Sequence, residues 1–302
     1  MEKRTLGNIG LSVTVLGYGA MALRALDESQ SAAVLNALLD QGMTLIDTSP
    51  DYGKSEVLIG KTIAHRREEY ILATKCGCNH DEQGHHSVPQ HIWTRAKLLE
   101  NIERSLRQLK TDHIDIWQMH SPSPKDLPGG IENEAIQTLL ELKRQGKVRA
   151  IGISFPNTPN DNPLYPAGAG YQQIPEFLDY GFDMMQIVYG GLTRKCEAAI
   201  SRVAERGLGV VVRGVVRQYF DNYPELFTQA GLPELCAPGE GMNDFLIRMA
   251  ISHPDVDTAI IGTGSVDHLT ENIQAAHRGP LSAEVYAEAK RRLDGVGVIA
   301  DQ

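Results

Sequence analysis

The chain has 302 residues, 42% hydrophobic and 22% charged, which supplies the apolar material for a full core and, at this length, for one domain spanning 1–302. Its formal net charge of -9 is dispersed, and Lys and Arg are scattered with it, which excludes the basic footprint of a nucleic-acid or anionic-membrane partner. There is no run of eighteen apolar residues, the opening MEKRTLGNIGLSV has no apolar stretch ahead of a cleavage site, and Cys76, Cys78, Cys196 and Cys236 are too spread for a disulfide framework, so a cytoplasmic location is expected.

In chain order, RTLGNIGLSV (4–13) reads as two short strands around a turn at Gly7 to Gly10, a hairpin placed to plug a barrel floor. VTVLG (13–17) is the first long strand, followed by the helical period of SAAVLNALLDQG closing on Gly42, then TLID (44–47) and YILATK (70–75). RAKLLENIERSLRQLK leads to IDIWQMH (114–120), and AIQTLLELKRQG, ending at Gly146, leads to VRAIGIS (148–154). MMQIVY (184–189), CEAAISRVAERG with Gly207, GVVVRG (209–214), DTAIIG (257–262) and DHLTENIQAA complete the alternation. Eight short Val-, Ile- and Leu-rich strands separated by helices predict an α/β fold, a (β/α)8 TIM barrel, since an open doubly wound sheet usually stops at five or six strands.

Three stretches exceed plain connections and are expected on the C-terminal face: 76–91, 155–173, and 215–241 with Tyr219, Phe220, Tyr223 and Phe227, whose rings either line a substrate site or pack their own loop. Trp117 lies inside a strand and reads as core, whereas Trp93 is ambiguous. In the first stretch Cys76 and Cys78 neighbour His80, His85 and His86. C-x-C followed by a Gly- and His-rich loop lacks the paired spacing of a structural zinc site, so no metal is expected and the stretch reads as a polar surface loop.

The chemistry gathers at strand ends. Asp47 ends the second strand and Tyr52 follows in a Pro- and Gly-containing loop; Lys75 ends the third strand and His120 the fourth. Singly each has a bland reading: a turn cap, a surface ring, a structural histidine. A Lys leaving an apolar strand needs a partner, which Asp47 supplies from one strand away. A tyrosine of unperturbed pKa about 10 is a poor acid at neutral pH, and a nearby ammonium stabilises its phenolate. Such a group suits carbonyl reduction: Tyr52 donates the proton, Lys75 supplies charge, Asp47 orients Lys75, and His120 fixes the substrate oxygen.

These four residues make the chain similar to the aldo-keto reductase family, whose tetrad of Asp, Tyr, Lys and His falls on Asp47, Tyr52, Lys75 and His120. The resemblance runs from LGYGAM through IDTSPDYGKSE, ATK, WQMHSP and GIS to Gln186 and IIGTGSVDHLTENIQAA. It implies an NAD(P)-dependent oxidoreductase moving hydride between nicotinamide and an aldehyde, ketone or alcohol. By the same resemblance Gly19, Ala20 and Met21 lie along the nicotinamide ribose beside Asp47, Ser154 and Gln186 bind the carboxamide, and Glu271 and Asn272 bind the adenine. Independently, Gly262, Thr263 and Ser265 occupy a strand-to-helix turn suited to phosphate.

Three positions depart from the family pattern. Phe155 follows Ser154 where Asn is usual; Arg213, followed by Gly214, stands where many members have an aromatic ring, though a guanidinium also stacks on the nicotinamide. Gly262, Gly264 and His268 occupy places where a cation usually clamps the 2'-phosphate, so the family habit predicts NADP with NAD as the alternative, Arg278 being a nearby substitute cation. Three other readings compete. Gly17, Gly19 and Ala22 spell G-x-G-x-x-A, a Rossmann fingerprint, but no helix opens within it. A cofactor-binding sensor with slow turnover would keep the same site, and Lys75 could instead form a Schiff base in an aldolase-like barrel.

Overall fold

The computed structural model describes residues 1–80, 86–156, 169–216 and 224–300. Its strands in chain order are β1 (Lys3–Thr5), β2 (Ser12–Thr14), β3 (Leu16–Gly19), β4 (Leu45–Asp47), β5 (Ile71–Cys76), β6 (Cys78–His80), β7 (His86–His91), β8 (Ile114–His120), β9 (Val148–Ser154), β10 (Met184–Val188), β11 (Gly209–Arg213) and β12 (Thr258–Ile261). Eight of them, β3, β4, β5, β8, β9, β10, β11 and β12, pair in parallel in that order and close on themselves. The (β/α)8 expectation holds. The helices are α1 (Glu28–Asp40), α2 (Ser55–Thr62), α3 (Arg95–Leu109), α4 (Glu134–Arg144), α5 (Ile174–Phe177), α6 (Glu197–Glu205), α7 (Pro224–Gln229), α8 (Met242–Ile251), α9 (Val266–His277) and α10 (Ala283–Gly295).

Period-two alternation sorts each barrel strand into two faces. Outward residues such as Tyr18, Ile46, Leu72, Trp117, Ile151, Met185 and Val210 join the main core between sheet and helices. Inward residues Leu45, Ala73, Ile116, Ala150, Met184, Val211 and Ile260 form a separate cluster inside the barrel. Two positions further along the same inward face the residues turn polar or small: Asp47, Lys75, Gln118, Gly152, Gln186, Arg213 and Gly262. The barrel is thus apolar below and chemical at its mouth, as the fold requires of active sites.

The expected hairpin is present, with Arg4 opposite Val13 in the β1–β2 register. Its Leu6, Leu11 and Val13 belong to the interior cluster and are at most 4% exposed, so they plug the floor, each contributing about 1.5–3 kcal/mol of burial. Arg4 donates to the carbonyls of Val256 (2.6 Å) and Ile251 (3.0 Å), and the Gly7 amide donates to Asp257 Oδ2 at 3.2 Å. Only glycine serves at position 7: its φ is +46° and a Cβ would lie 2.3 Å from the Gly209 nitrogen.

Two expectations are corrected. The first long strand is not continuous over 13–17: Ser12–Thr14 pairs back on the hairpin, and the barrel strand begins at Leu16. The stretch 76–91 is only partly a surface loop: of its described residues, 78–80 and 86–91 pair as the antiparallel ribbon β6–β7, whose second strand is exposed over 87–90, while Cys76 and Cys78 are fully buried and His80 only 6% exposed, because Gly77 lets the chain turn under Trp93. In 215–241, Phe227 is a core residue at 2% exposure and packs its own helix; Tyr219, Phe220 and Tyr223 lie outside the described residues, as do 157–168 of the third stretch and His85. No helix among the described residues is long and apolar enough to cross a membrane.

Candidate active site at the barrel mouth

Lys75 is buried without exposure at the end of β5, and its Nζ donates to Asp47 Oδ2 (2.7 Å) and to the Thr48 carbonyl (2.9 Å). The other carboxylate oxygen of Asp47 accepts from Gln118 Nε2 (2.8 Å) and Gln186 Nε2 (2.9 Å), and Ser154 Oγ donates to Gln186 Oε1 (2.8 Å). Strands β4, β5, β8, β9 and β10 therefore meet in one hydrogen-bonded layer. Burial alone would lower the Lys75 pKa, but the charge of the Asp47 carboxylate outweighs it and the ammonium is held above its ordinary value.

Tyr52 stands over this layer, its ring centroid 5.5 Å from Lys75 Nζ. Its loop is fixed by short bonds: the Tyr52 amide donates to the Ser49 carbonyl (3.0 Å), and the Thr48 amide to the Ala73 carbonyl (2.8 Å). His120 ends β8, and the next residue, Ser121, turns the chain away with a left-handed φ of 60° while its amide donates to the Ser154 carbonyl. Burial, reinforced by the Lys75 ammonium, pushes the His120 pKa down to about 4, so the imidazole is neutral at physiological pH. Its Nδ1 lies 2.8 Å from Asp51 Oδ2; a carboxylate only accepts, so the ring proton sits on Nδ1. Burial would raise Asp51, but the nitrogens of His120 and His91 hold it well below the usual carboxylate range.

Arg213 donates from Nη2 to the Phe155 carbonyl (2.6 Å), which holds its guanidinium across the mouth. From there a cleft of about 760 Å³ runs past Gly19, Met21, Asp47, Tyr52, Arg213, Gly214 and Gly262. A second cleft of similar volume continues past Gly262, Thr263, Ser265, His268, Glu271 and Asn272, and the two share Leu26, Val216, Ile261, Gly262 and Gly264. Most expected cofactor residues therefore line one continuous groove. Ala20 does not: it is fully buried, and its carbonyl accepts from Ser55 Oγ at 3.1 Å. Ser154 and Gln186 sit behind Asp47, 1% exposed, rather than in the groove wall.

The groove suits a dinucleotide. Its far wall is the start of α9, where Ser265 caps the helix by accepting from the His268 amide, and a helix N-terminus presents amides to phosphate. Gly262 approaches Gly19 so closely that a Cβ would lie 2.7 Å from the Gly19 oxygen, so the backbone itself forms the wall there. Arg278 does not supply a free cation at this end, lying 3.7 Å from Asp244 and 4.0 Å from Glu240.

Several site residues were not singled out by sequence. Gln118 belongs to the Asp47 network; its signal was a Gln two positions before His120 in an otherwise apolar strand, hence on the same inward face. Asp51 and His91 join Cys78 and His120 in one cluster, with all four donor atoms within 4.8 Å of one another. The Cys and His residues of 76–80 thus separate: Cys78 is in the cluster, while Cys76 and His80 are not.

A model of the aldo/keto reductase family matches residues 15–218. The uncharacterised oxidoreductase YqkF of Bacillus subtilis is 29% identical over 94% of both chains, and the NADH-specific methylglyoxal reductase of Escherichia coli is 30% identical over 69% of this chain and 63% of its own. Among solved structures, the holo form of aldo-keto reductase AKR11C1 from Bacillus halodurans superposes with a TM-score of 0.78, at 28% identity over 97% of this chain and 96% of that one.

Proposed function

The chain belongs to the aldo/keto reductase family of oxidoreductases, and from that premise we propose that it reduces small aldehydes or ketones with NAD(P)H, or runs the reverse, as a single-domain cytoplasmic enzyme. The observation that carries this reading is the buried Lys75 ammonium, 2.7 Å from Asp47 and 5.5 Å from the Tyr52 ring, at the mouth where the groove begins. Bound in that groove, the nicotinamide supplies or takes up the hydride. Gly19, Met21, Arg213 and Gly214 would hold its nicotinamide end; Gly262, Thr263, Ser265 and the α9 N-terminus its phosphates; His268, Glu271 and Asn272 its adenosine end.

The chain's own groups handle the proton. Tyr52 gives its hydroxyl proton to the substrate oxygen, and the Lys75 ammonium offsets the charge left on the phenol oxygen. Asp47 keeps Lys75 ionised and in place, while Gln118 and Gln186 hold Asp47. His120, neutral and tied to Asp51 through Nδ1, offers its other ring nitrogen to the substrate hydroxyl, an arrangement that favours the alcohol.

We also propose NADH over NADPH, the reverse of the order that family habit predicts. Among the described residues lining the adenosine end there is no Lys or Arg, whereas Asp244 lines it and engages Arg278. A 2'-phosphate would be repelled by that carboxylate, and a free 2'-hydroxyl would not. The Escherichia coli relative is itself described as NADH-specific. The test is steady-state oxidation of NADH and NADPH against a panel of aldehydes and ketones, with Tyr52→Phe as control. Turnover with NADH that the substitution abolishes, with cofactor binding kept, supports the reading; bound cofactor with no turnover would favour the sensor.

A further inference from the structure

We propose that Asp51, Cys78, His91 and His120 form a tetrahedral binding site for a divalent transition metal of the zinc class, set in the wall of the barrel mouth. The four donors come from separate pieces of chain: the loop after β4, the ribbon strands β6 and β7, and the end of β8. Nδ1 of His120 is 2.8 Å from Asp51 Oδ2 and 3.5 Å from Cys78 Sγ, and Nε2 of His91 is 3.6 Å from Asp51 Oδ2. With metal–nitrogen and metal–oxygen bonds of about 2.0–2.1 Å and a metal–sulfur bond of about 2.3 Å, the edges of a tetrahedron are roughly 3.3–3.7 Å. The three spacings above lie within about 0.5 Å of such edges, and the remaining ones, none above 4.8 Å, have to close by at most about 1 Å.

The ribbon builds this arrangement before any metal arrives. Cys78 and His91 are direct partners across the β6–β7 pairing. The Asn101 side chain clamps the turn, accepting from the Gly77 amide (2.9 Å) and donating to the Cys78 carbonyl (3.2 Å). His91 is stacked on Trp93 with ring centroids 5.6 Å apart and planes 9° from parallel, which fixes the direction of its nitrogens. Its Nε2 is buried and faces Asp51 Oδ2 at 3.6 Å, beyond hydrogen-bond length. Two imidazoles, a thiol and one carboxylate are a borderline-soft donor set, matched to zinc rather than to magnesium or calcium. Among the described residues no other group of three or more such side chains converges in this way.

If the reductase reading holds, the metal has a consequence for it. Coordination at Nδ1 of His120 would leave the ring proton on the other nitrogen, which then donates to a carbonyl oxygen instead of accepting from a hydroxyl.

The test reads the metal and not turnover, so its failure would leave the reductase reading standing. Full-length protein stripped with chelator is titrated with Co2+ and then with Zn2+ against a chromophoric chelator. One Co2+ per chain is expected, with the intense visible bands of four-coordinate cobalt and a thiolate charge-transfer band, displaced by Zn2+. Cys78→Ser should remove the charge-transfer band, and His91→Ala should weaken zinc at least about tenfold, with far-ultraviolet circular dichroism unchanged. Wild-type protein that binds no stoichiometric metal, shows a weak six-coordinate spectrum, or binds equally well after both substitutions would overturn the proposal.

Discussion

Replacing Asp47 by Asn tests the layer on which the site stands. The substitution keeps the shape of the side chain but leaves the Lys75 ammonium, buried without exposure, with the Thr48 carbonyl at 2.9 Å as its remaining hydrogen-bond acceptor. The new amide cannot satisfy both sides: its oxygen can serve the Gln118 and Gln186 donors or Lys75, and its NH2 then faces a donor. Removing one partner of a buried ion pair costs about 3–5 kcal/mol, because the surviving charge is uncompensated. At about 2 °C per kcal/mol for a chain of this size, the thermal midpoint should fall by about 6–10 °C. Removing the stranded charge as well, in Asp47→Asn with Lys75→Met, should restore part of the loss. Urea unfolding of wild type, both single variants and the double variant closes the cycle. An Asp47→Asn protein within about 1 kcal/mol of wild type, or strictly additive single effects, would refute the argument that the pair is buried and coupled.

Glu56 gives a pH signature: buried in α2, it accepts from Thr74 Oγ1 at 2.6 Å, and burial raises its pKa from 4.5 to about 7. A raised carboxyl contributes stability in full below its unfolded pKa and loses it as pH climbs through about 7, so wild type should lose up to about 3 kcal/mol relative to Glu56→Gln between pH 4.5 and 8; parallel melting curves would contradict this. Gly60→Ala, ordinarily stabilising inside a helix, should here destabilise by about 1–3 kcal/mol, since its Cβ would lie 2.1 Å from the Gln108 carbonyl oxygen on α3. A raised melting temperature would show that the two helices separate freely. Gly264→Arg should shift preference towards NADPH, its Cβ meeting only the Leu26 side chain at 3.1 Å, whereas Gly262→Arg should misfold against the Gly19 backbone; unchanged relative KM values for the former would mean the 2'-position is read elsewhere.

Much of the fold was legible because barrel strands buried on both faces must be apolar runs, and all eight were located from that signal. The break at Val15 was not, since VTVLG is uniformly strand-like and only the hairpin's pairing divides it. Helix α2 was not singled out: its SEVLIGKT carries a mid-helix Gly and a short apolar stripe. The gathering of Asp47, Tyr52, Lys75 and His120 at one end of the barrel was legible because each ends a strand or follows one, where sequence position fixes spatial position. The partnership of Asp51, Cys78, His91 and His120 was not, because it depends on the register of a ribbon with an irregularity between Cys78 and His80, and neither register nor bulge has a local signature.

The plugged floor also sets the order in which the molecule can be completed. Arg4 is anchored to the Val256 carbonyl, 252 positions away, and the Asn8 amide to the Gly207 carbonyl, so the hairpin receives its partners only from segments far downstream of it. Loop-closure entropy of that span must be overcome before the hairpin's leucines are rewarded. Until then both the hairpin and the lower ends of the strands expose apolar surface, and the nascent chain is most vulnerable to aggregation from the side opposite its chemistry.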